Sequence, residues 1–467
     1  MIHTKIVCTI GPSTSSPAAL RELIQKGMDV ARLNFSHGTQ VEHKEKIRLI
    51  RQESEKQNKS VAVLQDLAGP KIRVGAIPEP GIFLEAGQTL VLTSSRRCSK
   101  KNVVSVNFPG LVSVVKKDDP ILLADGTIEL KVTNIKADEI VCQVITGDLL
   151  SSHKGVNLPS RSLNIPPLTQ KDKKDLLFGI EQDVDYIALS FVRTKYDIQA
   201  AKKILKKHGK NIPIIAKIEK HEALDNTDEI IEVSDAIMVA RGDLGVEIPL
   251  ERVPIVQKDL IRKANERGKP VITATQMLRT MVESPRPTRA EATDVANAVL
   301  DGTDAVMLSE ETAVGRYPVK AVEFMRRIIQ NAEEFFPHGK YLQWIPSPHR
   351  SETVAHASCV IAAHLKAAAI IAQTTTGQTA GQISRFRPRQ PIIALSPRRE
   401  TIRRLALVWG CVPFLVSEFK GADQMIENTA RSALKTGLAA KGDMVVITSG
   451  HPVGIPGSTN MVRVKQL

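Results

Sequence analysis

Acids, bases and hydroxyls stand at the ends of apolar runs in this chain, and they do so repeatedly. In "VAVLQDLAGPKIR" (61–73) an apolar run ends in Asp66, and a Gly69-Pro70 corner follows. Lys71 and Arg73 then flank a single isoleucine. "ARLNFSHG" (31–38) sets Arg32, Asn34, Ser36 and His37 after a second run. "IIAKIEK" (214–220) closes on Lys217 and Glu219, which share one side of a strand because they are two residues apart. In "MVARGDLGVEIP" (238–249) Gly242 and Gly245 bracket Asp243, so backbone amides can approach an anion while the carboxylate takes a metal. Thr275, and Ser309 with Glu310, follow two further runs.

Singly, each has a bland reading. Lys217 and Glu219 fit a surface ion pair, Asp243 fits a helix cap, and His37 fits a structural loop histidine. As a set they are several cations and several carboxylates, which suits a phosphorylated acid plus a divalent metal. Glu219 and Asp243 are the candidate magnesium pair, because Mg²⁺ takes one or two carboxylates together with substrate oxygens.

The elements that must position this set are legible from periodicity. Apolar runs of strand length fall at 5–10, 30–34, 61–66, 186–191, 212–218, 236–240, 271–275 and 305–308. Segments of helical period at 17–26, 41–55, 196–208, 250–267 and 319–334 separate several of them. Buried, non-alternating strands divided by helices indicate parallel βα units. Eight of them predict a closed (β/α)8 barrel, the TIM-barrel architecture, with its active site at the C-terminal ends of the strands.

One connection, between Asp66 and the strand at 186, is far too long for that pattern. Its middle (74–154) is rich in β-branched residues and turn signals, and Asp125-Gly126 between two apolar runs reads as a hairpin. This predicts a small β-barrel lid inserted at the barrel mouth, where it can close over a site. After Pro346 a helix over "SETVAHASCVIAAHLKA", strands over "AAIIAQ" and "PIIALS", and further helix–strand pairs predict an open-sheet α/β domain of ordinary size. The expected division is a catalytic barrel of 1–69 and 158–341, a lid of 70–157 and a C-terminal regulatory domain of 342–467. In that last unit "TTTGQT" (Thr374, Thr375, Thr376, Gly377, Gln378, Thr379) lies between a strand and a helix expected near Gly381. It reads equally as a phosphate cradle or as a polar loop with a good cap.

Composition narrows the function classes. The net charge is +14, from 64 basic against 50 acidic residues, and it fits either nucleic acid or small anionic substrates. Aromatics are only 4%, the lysines of "AAKKILKKHGK" share one helix face, and there is no zinc-finger spacing or RNP-like strand, so no nucleic acid is expected. No apolar run reaches membrane-spanning length, and no membrane association is expected. Cys8, Cys98, Cys142, Cys359 and Cys411 lie far apart without a CxxC, so they read as reduced packing residues of a cytoplasmic protein. Walker, GxGxxG and GxSxG patterns are absent in the contexts they need.

Taken in order, "KIVCTIGPS", "ARLNFSHG", "QDLAGPKIR", "KGVNLP", "YIALSFVR", "AKIE", "ARGDLGVE", "TATQML" and "PRPTRAEATDVANAVLDGTDAVMLSEETAVGRYP" resemble the pyruvate kinase family over nearly the whole chain. The resemblance implies phosphoryl transfer from phosphoenolpyruvate to ADP, giving pyruvate and ATP. It implies Lys217 beside the phosphoryl group, with Arg32, Thr275 and Ser309 as further catalytic positions. Glu219 and Asp243 match the magnesium ligands, for which manganese is a substitute. Gly242, Asp243, Thr275 and Arg32 match the substrate-binding positions, and Asn34, His37, Arg73 and Lys154 the nucleotide side. Family members are usually homotetramers, and a phosphorylated allosteric effector is implied at 374–379.

At the positions of Asn34, Ser36, Asp66 and Leu67 many members bind potassium. Here Leu67, Ala68, Lys71 and Val74 stand where those members read Thr, Lys, Glu and Thr. That combination resembles the potassium-independent branch, and the Lys71 ammonium is expected to replace the ion's charge. Two other readings compete with this one. A metal-dependent phosphoenolpyruvate or 2-oxo-acid barrel enzyme such as an aldolase would share Glu219 and Asp243 but needs no nucleotide side. A non-catalytic RNA-binding protein would not need Lys217, Glu219, Asp243 and Thr275 intact.

Overall fold

The computed structural model describes residues 1–95, 102–159, 165–417, 429, 431–450 and 457–467. Cys98 and residues 451–456 of the loop "SGHPVGIPGSTN" (449–460) lie outside the described residues. Eight strands, Lys5–Thr9, Val30–Asn34, Ala62–Asp66, Tyr186–Leu189, Ile214–Ile218, Ala236–Ala240, Val271–Ala274 and Ala305–Leu308, pair in parallel and close into a barrel. Closure comes from the first and last strands, with Lys5 opposite Ala305 and Cys8 opposite Leu308. These strands read as continuous apolar runs because both faces are covered. Ile6, Cys8, Leu33 and Val63 face the helical shell. Val7, Val30, Leu64, Met238, Ile272 and Met307 fill the interior.

Helices Pro17–Lys26, Gln40–Lys56, Lys195–Lys207 and Pro318–Glu333 fall within a residue or so of expectation. Local chemistry sets their ends: Ser16 accepts a hydrogen bond from Ala19 N, and Thr39 with Glu42 forms a capping box. The segment at 250–267 differs. It opens as a 3-10 turn, Leu250–Arg252, and becomes the helix Val253–Glu266, with Pro254 in the first turn where a missing N–H costs nothing.

The insertion folds on its own core of Leu90, Leu92, Ile121, Leu130, Cys142 and Val144. Its main sheet runs Val156–Asn157, Pro120–Leu123, Ile128–Lys136, Glu139–Thr146, Thr89–Thr93, Val103–Ser105 in spatial order. The expected hairpin is present: Leu123 pairs with Ile128, and Ala124, Asp125 and Gly126 all take positive φ. Asp is tolerated and Gly favoured in that conformation.

The C-terminal unit is a five-stranded sheet. Ala369–Gln373, Ile392–Ser396, Cys411–Leu415 and Met444–Gly450 are parallel. The last strand, Thr459–Gln466, instead returns antiparallel beside Met444–Gly450. Helix–strand alternation therefore stops before the C-terminus, and the half-exposed strand that replaces it suits a sheet edge. The helix expected near Gly381 is Gln378–Arg385, starting directly after Gly377, whose φ of 93° turns the chain into it.

The C-terminal unit stoppers the barrel floor. Ala406 and Leu407 belong to the same apolar cluster as Val7, Leu64 and Met307. Arg387 is buried at this junction and donates to Asp304 Oδ1 (2.8 Å) and Oδ2 (2.9 Å), Asn265 Oδ1 (2.6 Å) and Gly302 O (2.9 Å). Its guanidinium also lies 5.0 Å from the Trp409 ring centroid. Among the described residues Cys8, Cys142, Cys359 and Cys411 are free and buried, and burial pushes the Cys142 and Cys411 thiols up to about 12. No helix among them is long and apolar enough to cross a membrane.

Removing one partner of a buried charge pair leaves the other uncompensated, at a cost of about 3–5 kcal/mol. We predict that Arg387→Ala destabilises the protein by about 3 kcal/mol in urea unfolding. A loss below about 1 kcal/mol would mean that apolar packing around Leu407 holds the junction without it.

Candidate active site

The strand ends converge on a buried cluster of charges. Asp66, the last residue of the third strand, accepts from Arg32 Nε at 2.7 Å, and the Lys217 ammonium lies 3.4 Å from its other oxygen. Lys217 is also 3.3 Å from Glu219 Oε2, as expected for side chains two apart on one strand. Arg32 is fixed at its far end by Thr9 Oγ1 (2.9 Å), which itself donates to Leu308 O. Burial alone would raise the Asp66 carboxyl, but Lys217 and Arg32 outweigh it and hold Asp66 below its ordinary range. Burial likewise opposes the Lys217 charge, and Asp66, Glu219 and Asp243 more than restore it. Glu219 goes the other way: burial raises its carboxyl against the pull of Lys217, and Asp243 adds to the rise.

Two residues absent from the sequence reading shape this cluster. Ser190 accepts from the Lys217 ammonium at 2.7 Å and donates to Leu67 O at 2.7 Å. Phe191 turns its N–H onto Glu219 Oε1 at 2.5 Å by adopting φ of 57°, an unusual conformation for a bulky residue. The Gly69 corner permits this, because a Cβ there would stand 2.8 Å from the Phe191 ring and 2.9 Å from Ser190. The other oxygen of Glu219, Oε2, is buried and has no hydrogen-bond donor among the described residues, though the Lys217 ammonium stands 3.3 Å away.

Gly242 and Asp243 open the short helix Arg241–Glu247 directly after the sixth strand. Gly242 N donates to Thr275 Oγ1 at 2.7 Å. Thr275 and Gln276 take φ of 69° and 57°, so this loop is strained, and Arg241 braces it. Arg241 donates to Thr275 O (2.9 Å) and Asp294 Oδ1 (2.6 Å). It therefore clamps the loop to the helical shell rather than joining the converging cations. Glu311 does the same for the eighth strand end, accepting from Ser309 N and Leu278 N. Ser309 Oγ is buried without a partner, whereas Glu310 turns outward to Arg279.

Lys71 faces the helix that carries Asp243. Its ammonium stands 3.3 Å from Asp243 Oδ1 and 3.7 Å from Asp125 Oδ1 at the lid hairpin. Asp66 is already paired with Arg32 and Lys217, and the Leu67 carbonyl is taken by Ser190. The chain past the Gly69-Pro70 corner thus carries the Lys71 ammonium to the Asp243 side of the mouth. Asn34 Oδ1 meanwhile accepts from Ser36 N at 3.1 Å.

Arg73 and Lys154 meet where the two chain crossings into the lid run together: Arg73 bridges to Gly155, and Val74 N donates to Lys154 O. Arg73 also donates to His153 O at 3.0 Å. His37 is exposed at the mouth, and its carbonyl accepts from His43. In the C-terminal loop Thr374 accepts from Gly377 N, and Thr379 is buried against Thr459. Thr376 and Gln378 are the exposed side chains there.

Comparison with known proteins accords with this layout. The model for the pyruvate kinase barrel domain matches residues 1–322, and that for the pyruvate kinase alpha/beta domain matches residues 352–465. A pyruvate kinase of Clostridium acetobutylicum is 42% identical over 470 residues, covering 100% of this chain and 99% of that relative. One from Staphylococcus haemolyticus is 47% identical over 470 residues, covering 99% of this chain and 80% of the relative. Pyruvate kinase 2 of Synechocystis is 47% identical over 469 residues, with 99% and 79% covered. The class these define is a phosphotransferase on a (β/α)8 barrel. Within it, the chain belongs to the pyruvate kinase family.

A hydrogen bond to a charged group contributes about 1.5–3 kcal/mol, so losing the Ser190 acceptor should slow turnover by roughly tenfold or more. We predict that loss for Ser190→Ala in a lactate-dehydrogenase-coupled assay, with Ser190→Thr recovering most of it. Unchanged turnover in Ser190→Ala would remove the hydroxyl from the working site.

Proposed function

We propose that the chain transfers the phosphoryl group of phosphoenolpyruvate to ADP, yielding ATP and pyruvate, with magnesium (or manganese in its place) and without potassium. The observation that carries this is the buried Lys217 ammonium, held by Asp66, Ser190 and Glu219 at the barrel mouth. Phosphoryl transfer needs little covalent help from a protein; it needs charge stabilised on the equatorial oxygens and both partners held in line. Lys217 provides a fixed positive charge for those oxygens. Arg32, oriented by Thr9 and Asp66, is shaped to hold a phosphate with its guanidinium fork.

Glu219 and Asp243 fit a divalent cation on the chemistry of this site. Glu219 Oε2 is a buried carboxylate oxygen without a donor, and Asp243 is close enough to raise its carboxyl. Such hard oxygens suit Mg²⁺, which when bound would supply positive charge against the substrate oxygens. The backbone at Gly242–Asp243 and the Thr275 hydroxyl are the groups for the substrate carboxylate. Transfer leaves an enolate that must gain a proton to become pyruvate. Thr275 and Ser309 would hold the water that relays it, and the unpartnered Ser309 hydroxyl supports that role. Arg73 and Lys154 at the lid stem, with Asn34 and His37, form the nucleotide side.

Potassium independence now rests on charge balance rather than on replacement in place. Lys71 offsets Asp243, so the carboxylates of the mouth gain a fixed cation from the chain itself. The remaining readings rest on the family: three domains divided near 70, 158 and 342, a cytoplasmic homotetramer, and a phosphorylated effector at 374–379. The aldolase alternative has no support from the comparisons.

The first test is the coupled assay with phosphoenolpyruvate, ADP and Mg²⁺, run with and without potassium. Equal rates are expected, and activity only with potassium would sink the charge-balance reading. Lys217→Met should cut kcat by roughly 10²–10³ or more, the range for losing one charge-stabilising donor. Near-normal turnover would remove Lys217 from the mechanism. Lys71→Glu is expected to make the rate depend on added potassium; indifference to the ion would discard that role for Lys71.

A further inference from the structure

Glu219 and Asp243 belong to different elements, the segment directly after the fifth strand and the helix Arg241–Glu247, and like charges on the two push them apart. Something must hold those elements in register. Glu247, the last residue of that helix, is fully buried. Its Oε1 accepts from Lys220 Nζ at 2.6 Å and from Asn157 Nδ2 at 3.3 Å, and its Oε2 lies 3.0 Å from His221 Nδ1. Lys220 and His221 follow Glu219 directly, and Asn157 belongs to the strand by which the lid returns.

We propose that Glu247 is a positioning residue: by tying the helix of Asp243 to the segment after Glu219, it sets the separation of the two carboxylates. This rests on the reading of Glu219 and Asp243 as the divalent-cation pair. The argument is one of leverage. Asp243 and Glu247 are four residues apart, about one helical turn, so an anchor at Glu247 fixes Asp243 within that turn. On the other side, Lys220 is the residue next to Glu219, and its ammonium and the neighbouring His221 ring are the groups held by Glu247. The buried carboxylate is costly to keep without its partners, so the arrangement holds as a unit or is lost as one. Glu247 touches neither substrate nor metal in this role.

The full-length protein can be titrated with Mn²⁺, following free Mn²⁺ by electron paramagnetic resonance, for wild type, Asp243→Asn, Glu247→Gln and the double variant Lys220→Met/Glu247→Leu. The double variant replaces the buried pair by apolar groups, a change folds often tolerate, and so covers a Glu247→Gln that fails to fold. Asp243→Asn should abolish tight binding, and each Glu247 variant should weaken Mn²⁺ about tenfold. In the coupled assay at saturating Mn²⁺, the KM for phosphoenolpyruvate should shift by less than about threefold. Wild-type Mn²⁺ affinity in a folded Glu247 variant, with binding lost in Asp243→Asn, overturns the positioning role alone. Unaltered binding in Asp243→Asn overturns the metal-pair reading and this inference with it. Glu222 also lies 3.3 Å from His221, so a second ion could lodge there. A Mn²⁺ retained by Asp243→Asn but lost in Glu247→Gln would make Glu247 a ligand and refute its role as a positioner.

Discussion

Four charges buried at one end of a barrel impose most of what surrounds them. Arg32, Asp66, Lys217 and Glu219 sit with side chains between 0% and 12% exposed, and each ion taken from water costs several kcal/mol unless its partners are placed well. Two cations and two carboxylates balance, yet the balance is not complete at the level of atoms. Asp66 has both Arg32 and Lys217 and stays ionised, whereas Glu219 has only the shared Lys217, which stands 3.3 Å from its Oε2 without a hydrogen bond, and has Asp243 for a neighbour. The Asp66 side thus meets two cations with one carboxylate, and the Glu219 side shares one of those cations between two carboxylates.

Backbone strain collects beside the same cluster. Phe191, Thr275 and Gln276 all take positive φ, a conformation costly for such residues. Two of them are braced: Glu219 receives the Phe191 N–H, and Arg241 holds the Thr275 carbonyl. Arg241 and Glu311 thus work from the helical shell, one on the seventh strand end and the other on the loops at Leu278 and Ser309. The mouth is rigid because its irregular backbone is tied outward, and the polar groups facing inward are left to whatever binds.

The barrel was legible in the sequence for a simple physical reason. Strands covered on both faces are continuously apolar, and Val30–Asn34, Ala236–Ala240 and Ala305–Leu308 carry the bounds their runs imply. Charged residues at the strand ends were equally visible, and the fold gathers Arg32, Asp66, Lys217, Glu219 and Asp243 at one mouth. Less visible were residues whose part depends on direction rather than type. Ser190 and Thr9 carry no charge, Glu247 sits in a motif dominated by Asp243, and Arg241 shares the strand end of the cluster but points away from it. Lys71 was read as a cation replacing an ion's charge, and its pairing with Asp243 was not visible, because a Gly-Pro corner hides the direction the chain takes next. The last strand was missed through an assumption of continued alternation, which its own half-polar pattern contradicts.

The fourth barrel strand, Tyr186–Leu189, joins the two ends of the molecule mechanically. Before its start, Asp183 and Asp185 accept from Arg403 at 2.6 Å each, and the Tyr186 hydroxyl donates to Arg404 O. Those arginines lie on the helix Arg399–Arg404, where Thr401 also donates to Thr375 O in the 374–379 loop, and Leu405 beyond it packs near Gly377. Just past the strand's other end stand Ser190 on Lys217 and Phe191 on Glu219. Four residues of strand span roughly 13 Å. A segment that short, hydrogen-bonded to a strand on each side, has little room to bend. Its two ends therefore carry, one strand-length apart, the contacts to the C-terminal unit and those to Lys217 and Glu219.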